Sequence, residues 1–227
     1  MCSRSSTDGR PVRVKICGLR TRADIAISAR GGAAYAGLVF FAPSPRFVTI
    51  ADARWILEDA PAGICKVALT VDAEDAEIEA ILDAVSIDML QLHGDESPER
   101  VADIRAGFGL PVMKAVGVSD ETDLAALDLY AEVADQILVD ARAPRESDLP
   151  GGNGVPFDWR LMRKRHWSVP WMLAGGLTSD TIAEAVRVTG AEQLDVSSGT
   201  ECAPGQKDPA LIEGFIRAAN DVARRSA

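Results

Sequence analysis

The chain has 227 residues, 47% of them hydrophobic and 26% charged, with a formal net charge of −10. That length suits one large domain or two small ones and allows a sizeable buried core. The acidic balance argues against a nucleic-acid partner, because a phosphodiester backbone recruits cations, yet it says little about one local phosphate pocket.

Short apolar runs alternate with helix-length segments along the whole chain. Val12–Cys17 reads as a first strand and Thr21–Arg30 as the helix after it. Tyr35–Phe41 is a second strand, followed by a helix over Thr49–Asp59 with Thr49 as its N-cap. Cys65–Val71 precedes Ala73–Val85, where Ile78, Ile81, Leu82 and Val85 form a stripe of helical period. Met89–Leu92 leads into Ser97–Gly107, with Ser97 placed to cap and Pro98 in the first turn. Pro111–Val118 is followed by Glu121–Ala131, and Gln136–Asp140 by Asp158–Arg165. Pro170–Ala174 precedes Ser179–Thr189, which ends at Gly190, and Gln193–Ser197 precedes Asp208–Arg225.

The eight strand-like runs are almost continuously apolar. Parallel strands covered on both faces have that signature. Eight βα units in one chain of this length predict an α/β fold, a single (β/α)8 TIM barrel. A doubly wound open sheet is the alternative. No apolar run approaches the roughly 20 residues of a membrane span. The polar opening MCSRSSTDGRP lacks a signal-peptide core. Residues 1–11 therefore read as a flexible tail on a cytoplasmic protein with reduced cysteines, ahead of a domain over 12–227. The four cysteines form no C-x-x-C pair and there are two histidines, so no zinc site is expected.

Most chemistry-bearing residues fall at the strand-to-helix junctions, the functional face of such a barrel. In Lys15–Gly18 (KICG), period-two alternation puts Lys15 and Cys17 on the inner face and Val14 and Ile16 toward the helices. Cys17 then lies at the barrel mouth, as a small buried thiol or as a base whose pKa a nearby cation lowers. Asp140, ending the sixth run, also points inward, as a loop cap or as a general acid. Gln91 and His93 share an inward face, and His93 is either structural or a ligand contact. Arg46, in Ser44–Arg46, has the planar fork that grips a carboxylate, unless it is merely solvated.

Gly175 and Gly176 end the seventh run, and Ser197, Ser198 and Gly199 end the eighth. Glycine amides and serine hydroxyls at these two ends suit a phosphate. The amides of Gly151–Gly154 extend the same surface. Closure of the barrel makes the first and eighth strands neighbours. Lys15 lies two residues before Cys17, as Asp195 lies two before Ser197, so the two charges should pair inside the barrel.

Together these motifs resemble the phosphoribosylanthranilate isomerase family of tryptophan biosynthesis. The matching segments are KICGLR, GLVFFAPSPRFV, LQLHGDES, ILVD, GGNGVPFDW, LAGGL and DVSSGTE–PG–KD, in order from Lys15 to Asp208. The resemblance implies an Amadori rearrangement of N-(5-phosphoribosyl)anthranilate to the 1-deoxyribulose 5-phosphate aminoketose, with no redox cofactor or metal. It implies Cys17 as the base, Asp140 as the acid, phosphate held by the glycine and serine loops, and Arg46 facing the anthranilate carboxylate. The expected partner is a small phosphoribosyl substrate; the oligomeric state stays open. The loop after the sixth strand departs from the family's usual GGTGKT. It reads Gly151-Gly152-Asn153-Gly154-Val155-Pro156, so its side chains lose a phosphate lysine while its amides remain. The third-strand ending Ala68-Leu69-Thr70-Val71 also differs from the usual GVFV.

Overall fold

All eight strand-like runs form strands, and these hydrogen-bond in chain order into a closed parallel barrel in the computed structural model. The structure describes residues 12–142, 151, 157–163 and 165–225. The expected N-terminal tail lies outside that set, as does most of the Pro/Gly-rich loop 143–155. The strands are β1 (Arg13–Cys17), β2 (Tyr35–Val39), β3 (Cys65–Thr70), β4 (Met89–Leu92), β5 (Val112–Val118), β6 (Gln136–Ala141), β7 (Trp171–Leu173) and β8 (Gln193–Val196). Closure runs through β1 and β8, where Lys15 is the register partner of Asp195.

The helices are α1 (Arg22–Gly31), α2 (Ile50–Leu57), α3 (Asp75–Ala84), α4 (Pro98–Phe108), α5 (Leu124–Val133), α6 (Ile182–Thr189) and α7 (Pro209–Arg225). Their starts follow local chemistry. Thr21 and Thr49 each accept from the backbone N–H three residues on, and Asp24 and Asp52 return the bond to the cap. Ser97 caps α4 with Pro98 in its first turn. Helix α7 packs on α1 and α6 and so covers the seam beside β1.

Two expectations are corrected. The segment Asp158–Arg165 is not an α-helix but a 3-10 turn over Trp159–Met162, with Asp158 accepting from the Arg160 N–H. Three-residue spacing there sets Trp159 and Met162 against the apolar layer. The helix expected from Ser179 begins only at Ile182, because Thr178 and Thr181 first close a hydrogen-bonded turn.

Alternation along each strand sorts two apolar regions. Val14, Ile16, Leu38, Leu90 and Leu194 face the helices in the larger cluster. Tyr35, Val67, Met113, Leu138 and Met172 fill the barrel interior. That interior leaves the ligand-binding work to the C-terminal strand ends. There β9 (Glu201–Ala203) and β10 (Gln206–Lys207) add a small hairpin beyond β8.

Candidate active site

A cavity open to solvent occupies the C-terminal mouth of the barrel. Cys17, Arg46, His93 and Asp140 line it, and Gly175, Gly176, Ser197 and Ser198 complete the wall on the β7–β8 side. Gly199 stands one step back. A Cβ there would come within 2.1 Å of the Leu177 carbonyl oxygen, so this glycine lets the β7 and β8 loops pack.

Cys17 sits on an apolar wall with Val39 and Leu69. Below it, Lys15 is fully buried, and its Nζ donates to Asp195 Oδ1 at 2.8 Å. Burial alone would favour the neutral amine. The charges of Asp195 and Cys17 outweigh it and raise the pKa of Lys15. The same desolvation acts on Cys17 in the opposite sense to its neighbour. Burial pushes the thiol up, Lys15 pulls it down, and burial wins. The cation expected beside Cys17 is therefore present, but the net shift is upward, because burial outweighs Lys15 and the Asp195 charge adds to the rise.

Gly37 makes this arrangement possible. A Cβ on it would lie 3.1 Å from both Cys17 Sγ and Lys15 Nζ. A glycine in a strand interior marks such a close approach.

Across the mouth, Asp140 Oδ1 accepts from the Ala141 N–H at 2.8 Å, and Oδ2 faces His93 Nε2 at 3.5 Å. His93 Nδ1 is in turn 2.9 Å from the amide nitrogen of buried Gln91. Gly151 covers this pair, for a Cβ there would reach within 2.3 Å of His93 Nε2 and 2.9 Å of Asp140 Oδ2.

Gly175 and Gly176 adopt φ values of 84° and 65°, which only glycine takes without strain. That turn brings the β7 loop against Ala141 and Asp140. The Ser197 hydroxyl donates to the Cys17 carbonyl at 3.1 Å and so ties the β8 end to the β1 end.

Arg46 is buried rather than solvated, and its fork is engaged. Its Nε and one terminal nitrogen donate to the two carboxylate oxygens of Glu201 at 2.8 and 2.9 Å. Lys207 Nζ meets the same carboxylate at 2.9 Å and the Ser197 carbonyl at 2.8 Å. Burial lowers the Lys207 pKa against the pull of Glu201. The roles of Glu201 and Lys207 escaped the motif reading. Their signal was an opposite-charge pair flanking a Pro-Gly turn, which also suits a surface hairpin. Among the described residues no group of three His, Cys, Asp or Glu side chains is placed to hold a metal ion.

Residues 14–218 match the family model described as N-(5'-phosphoribosyl)anthranilate isomerase. A protein of that name from Cereibacter sphaeroides is 62% identical over 208 residues, covering 92% of this chain and 98% of the relative. One from Ruegeria sp. is 57% identical over 212 residues, covering 93% and 99%. The crystal structure of phosphoribosyl anthranilate isomerase from Thermotoga maritima superposes with a TM-score of 0.83 at 36% identity, covering 92% of this chain and 99% of the other. A phosphoribosyl anthranilate isomerase in complex with reduced 1-(o-carboxyphenylamino)-1-deoxyribulose 5-phosphate superposes with a TM-score of 0.80 at 34% identity, with the same coverage of both chains.

Proposed function

Since the chain belongs to the N-(5'-phosphoribosyl)anthranilate isomerase family, we propose that Cys17 and Asp140 are the base and the acid of its Amadori rearrangement. Asp140 protonates the ribose ring oxygen. The C1′–O bond then breaks as the anilino nitrogen lone pair forms a C1′=N Schiff base. Cys17 takes the C2′ proton, and the C–H electrons form C1′=C2′ while the C=N electrons return to nitrogen. The resulting enolamine tautomerises to the aminoketose. No electrons leave the substrate, so the chemistry needs no redox partner.

One observation carries this reading. Cys17 on β1 and Asp140 on β6 face a single cavity whose wall also holds Gly175, Gly176, Ser197 and Ser198 beside apolar Val39, Phe41 and Leu69. Lys15, beside Cys17, opposes the burial that raises its thiol and so favours the thiolate that takes the proton. Gly175, Gly176, Ser197 and Ser198 take the phosphate, with Gly199 shaping their loops. Arg46 faces the anthranilate carboxylate and His93 stands beside Asp140. The substrate is thus a small phosphoribosyl compound, handled in the cytoplasm where the cysteines stay reduced.

The test is the loss of phosphoribosylanthranilate fluorescence on adding the pure protein; no turnover sinks the proposal. Cys17→Ala and Asp140→Asn should each lower kcat by roughly 10²–10⁴, while binding of the reduced product analogue survives. Near-normal turnover in either variant would remove that residue's assignment.

A further inference from the structure

Gln91 is fully buried on β4 and does not line the cavity, yet its amide nitrogen lies 2.9 Å from His93 Nδ1. The other ring nitrogen, Nε2, faces Asp140 Oδ2 at 3.5 Å. A neutral imidazole carries one hydrogen, and these two neighbours must agree on where it sits.

With the hydrogen on Nδ1, the Nε2 lone pair would face a carboxylate. Gln91 would then have to turn its oxygen to the ring and bury its NH₂ without an acceptor. With the hydrogen on Nε2, Gln91 donates to Nδ1 and His93 points a donor at Asp140. The atom left over is then the Gln91 Oε1, and that oxygen does lack a partner. An orphaned buried acceptor is more common than an orphaned donor. The Gln91 end of the ring selects this tautomer, and the Asp140 end favours it once Asp140 has given up its proton. Gly151 lies over the His93–Asp140 contact.

We propose that Gln91 is a positioning residue that holds His93 as its Nε2–H tautomer, so that His93 donates to Asp140 as Asp140 gives up its proton. The inference rests on Asp140 being the acid. Gln91 acts only through His93.

The chain has two histidines, so a His166→Gln background leaves His93 as the single signal in nitrogen NMR of histidine-labelled protein. The expected wild-type spectrum shows Nδ1 unprotonated and Nε2 carrying the hydrogen. Gln91→Glu keeps the shape and, once ionised, can only accept, so at a pH above the titration of that carboxyl it should move the hydrogen onto Nδ1 and lower kcat by roughly 10–100-fold. KM should stay within about threefold, since no substrate contact is lost. Gln91→Leu should lower kcat similarly with a mixed His93 signal. A wild-type spectrum with the hydrogen on Nδ1 overturns the proposal, and that measurement needs no substitution at position 91. So does a Gln91→Glu enzyme with unchanged kcat. An active Asp140→Asn enzyme would instead remove the acid assignment while leaving the tautomer as found.

Discussion

Lys15 and Asp195 are register partners at the seam that closes the barrel, and their side chains meet at 2.8 Å in its interior. The lysine side chain is 0% exposed and the aspartate 10%. A pair this buried offsets its desolvation only while both members are present. Lys15→Met alone should therefore cost about 3–5 kcal/mol in urea unfolding. The double variant Lys15→Met/Asp195→Leu should recover part of that loss. A double variant less stable than Lys15→Met would show that the pair is not what the single substitution breaks.

The same lysine opposes the burial that raises the Cys17 thiol. Thiolate ultraviolet absorbance, taken as wild type minus Cys17→Ala, should titrate with a midpoint above the ordinary thiol value of about 8.5. Lys15→Met removes the opposing charge and should move that midpoint higher still. A wild-type midpoint on the acid side of the ordinary value would contradict the dominance of burial.

A side chain at Gly37 would crowd the base. An added methyl would sit 3.1 Å from Cys17 Sγ and from Lys15 Nζ, and 3.2 Å from the Cys17 Cα. Gly37→Ala should displace the thiol by a few tenths of an ångström. Roughly tenfold or more should be lost from kcat, since catalytic geometry is sensitive to shifts well under 1 Å. Phosphate affinity should hold, measured by inhibition with a phosphorylated product analogue. Unchanged kcat would mean the strand relaxes at no cost to the site.

Glu201 bridges Arg46 and Lys207, with its side chain 4% exposed. Burial would raise its pKa, but Arg46 and Lys207 more than offset that and lower it. A depressed carboxylate pKa stabilises the fold above the ordinary glutamate range and ceases to do so as pH falls through the depressed value. The Tm gap between wild type and Glu201→Gln should accordingly be wide near neutrality and narrow below about pH 4. A gap independent of pH would show that Glu201 contributes packing and not charge.

The barrel itself was legible because its strands are covered on both sides. The apolar runs mark them without help from tertiary contacts, and alternation alone put Lys15 and Cys17 on the inner face and Val14 and Ile16 on the outer. The Asp158–Arg165 helix was misread because a capping Asp and charged residues suit a short 3-10 turn as well as a helix. What separates them is how Trp159 and Met162 pack. The hairpin β9–β10 was missed because its strands are very short, Gln206–Lys207 in the second.

For the opening pair, the two sources divide cleanly. Sequence by itself determined that Lys15 and Asp195 face inward at matching heights and must find each other, since periodicity sets direction and a buried charge requires a partner. Only the tertiary structure decided the sign of the effect on Cys17. That sign depends on a contest between burial and Lys15, and Asp195, from the far end of the chain, has a share in the outcome. The same holds for Arg46, whose fork is turned by Glu201, and for His93, held by one neighbour along its own strand and another on β6. Directions along a strand follow from local geometry. The electrostatics of a site follow from which distant groups the closed barrel brings within a few ångströms.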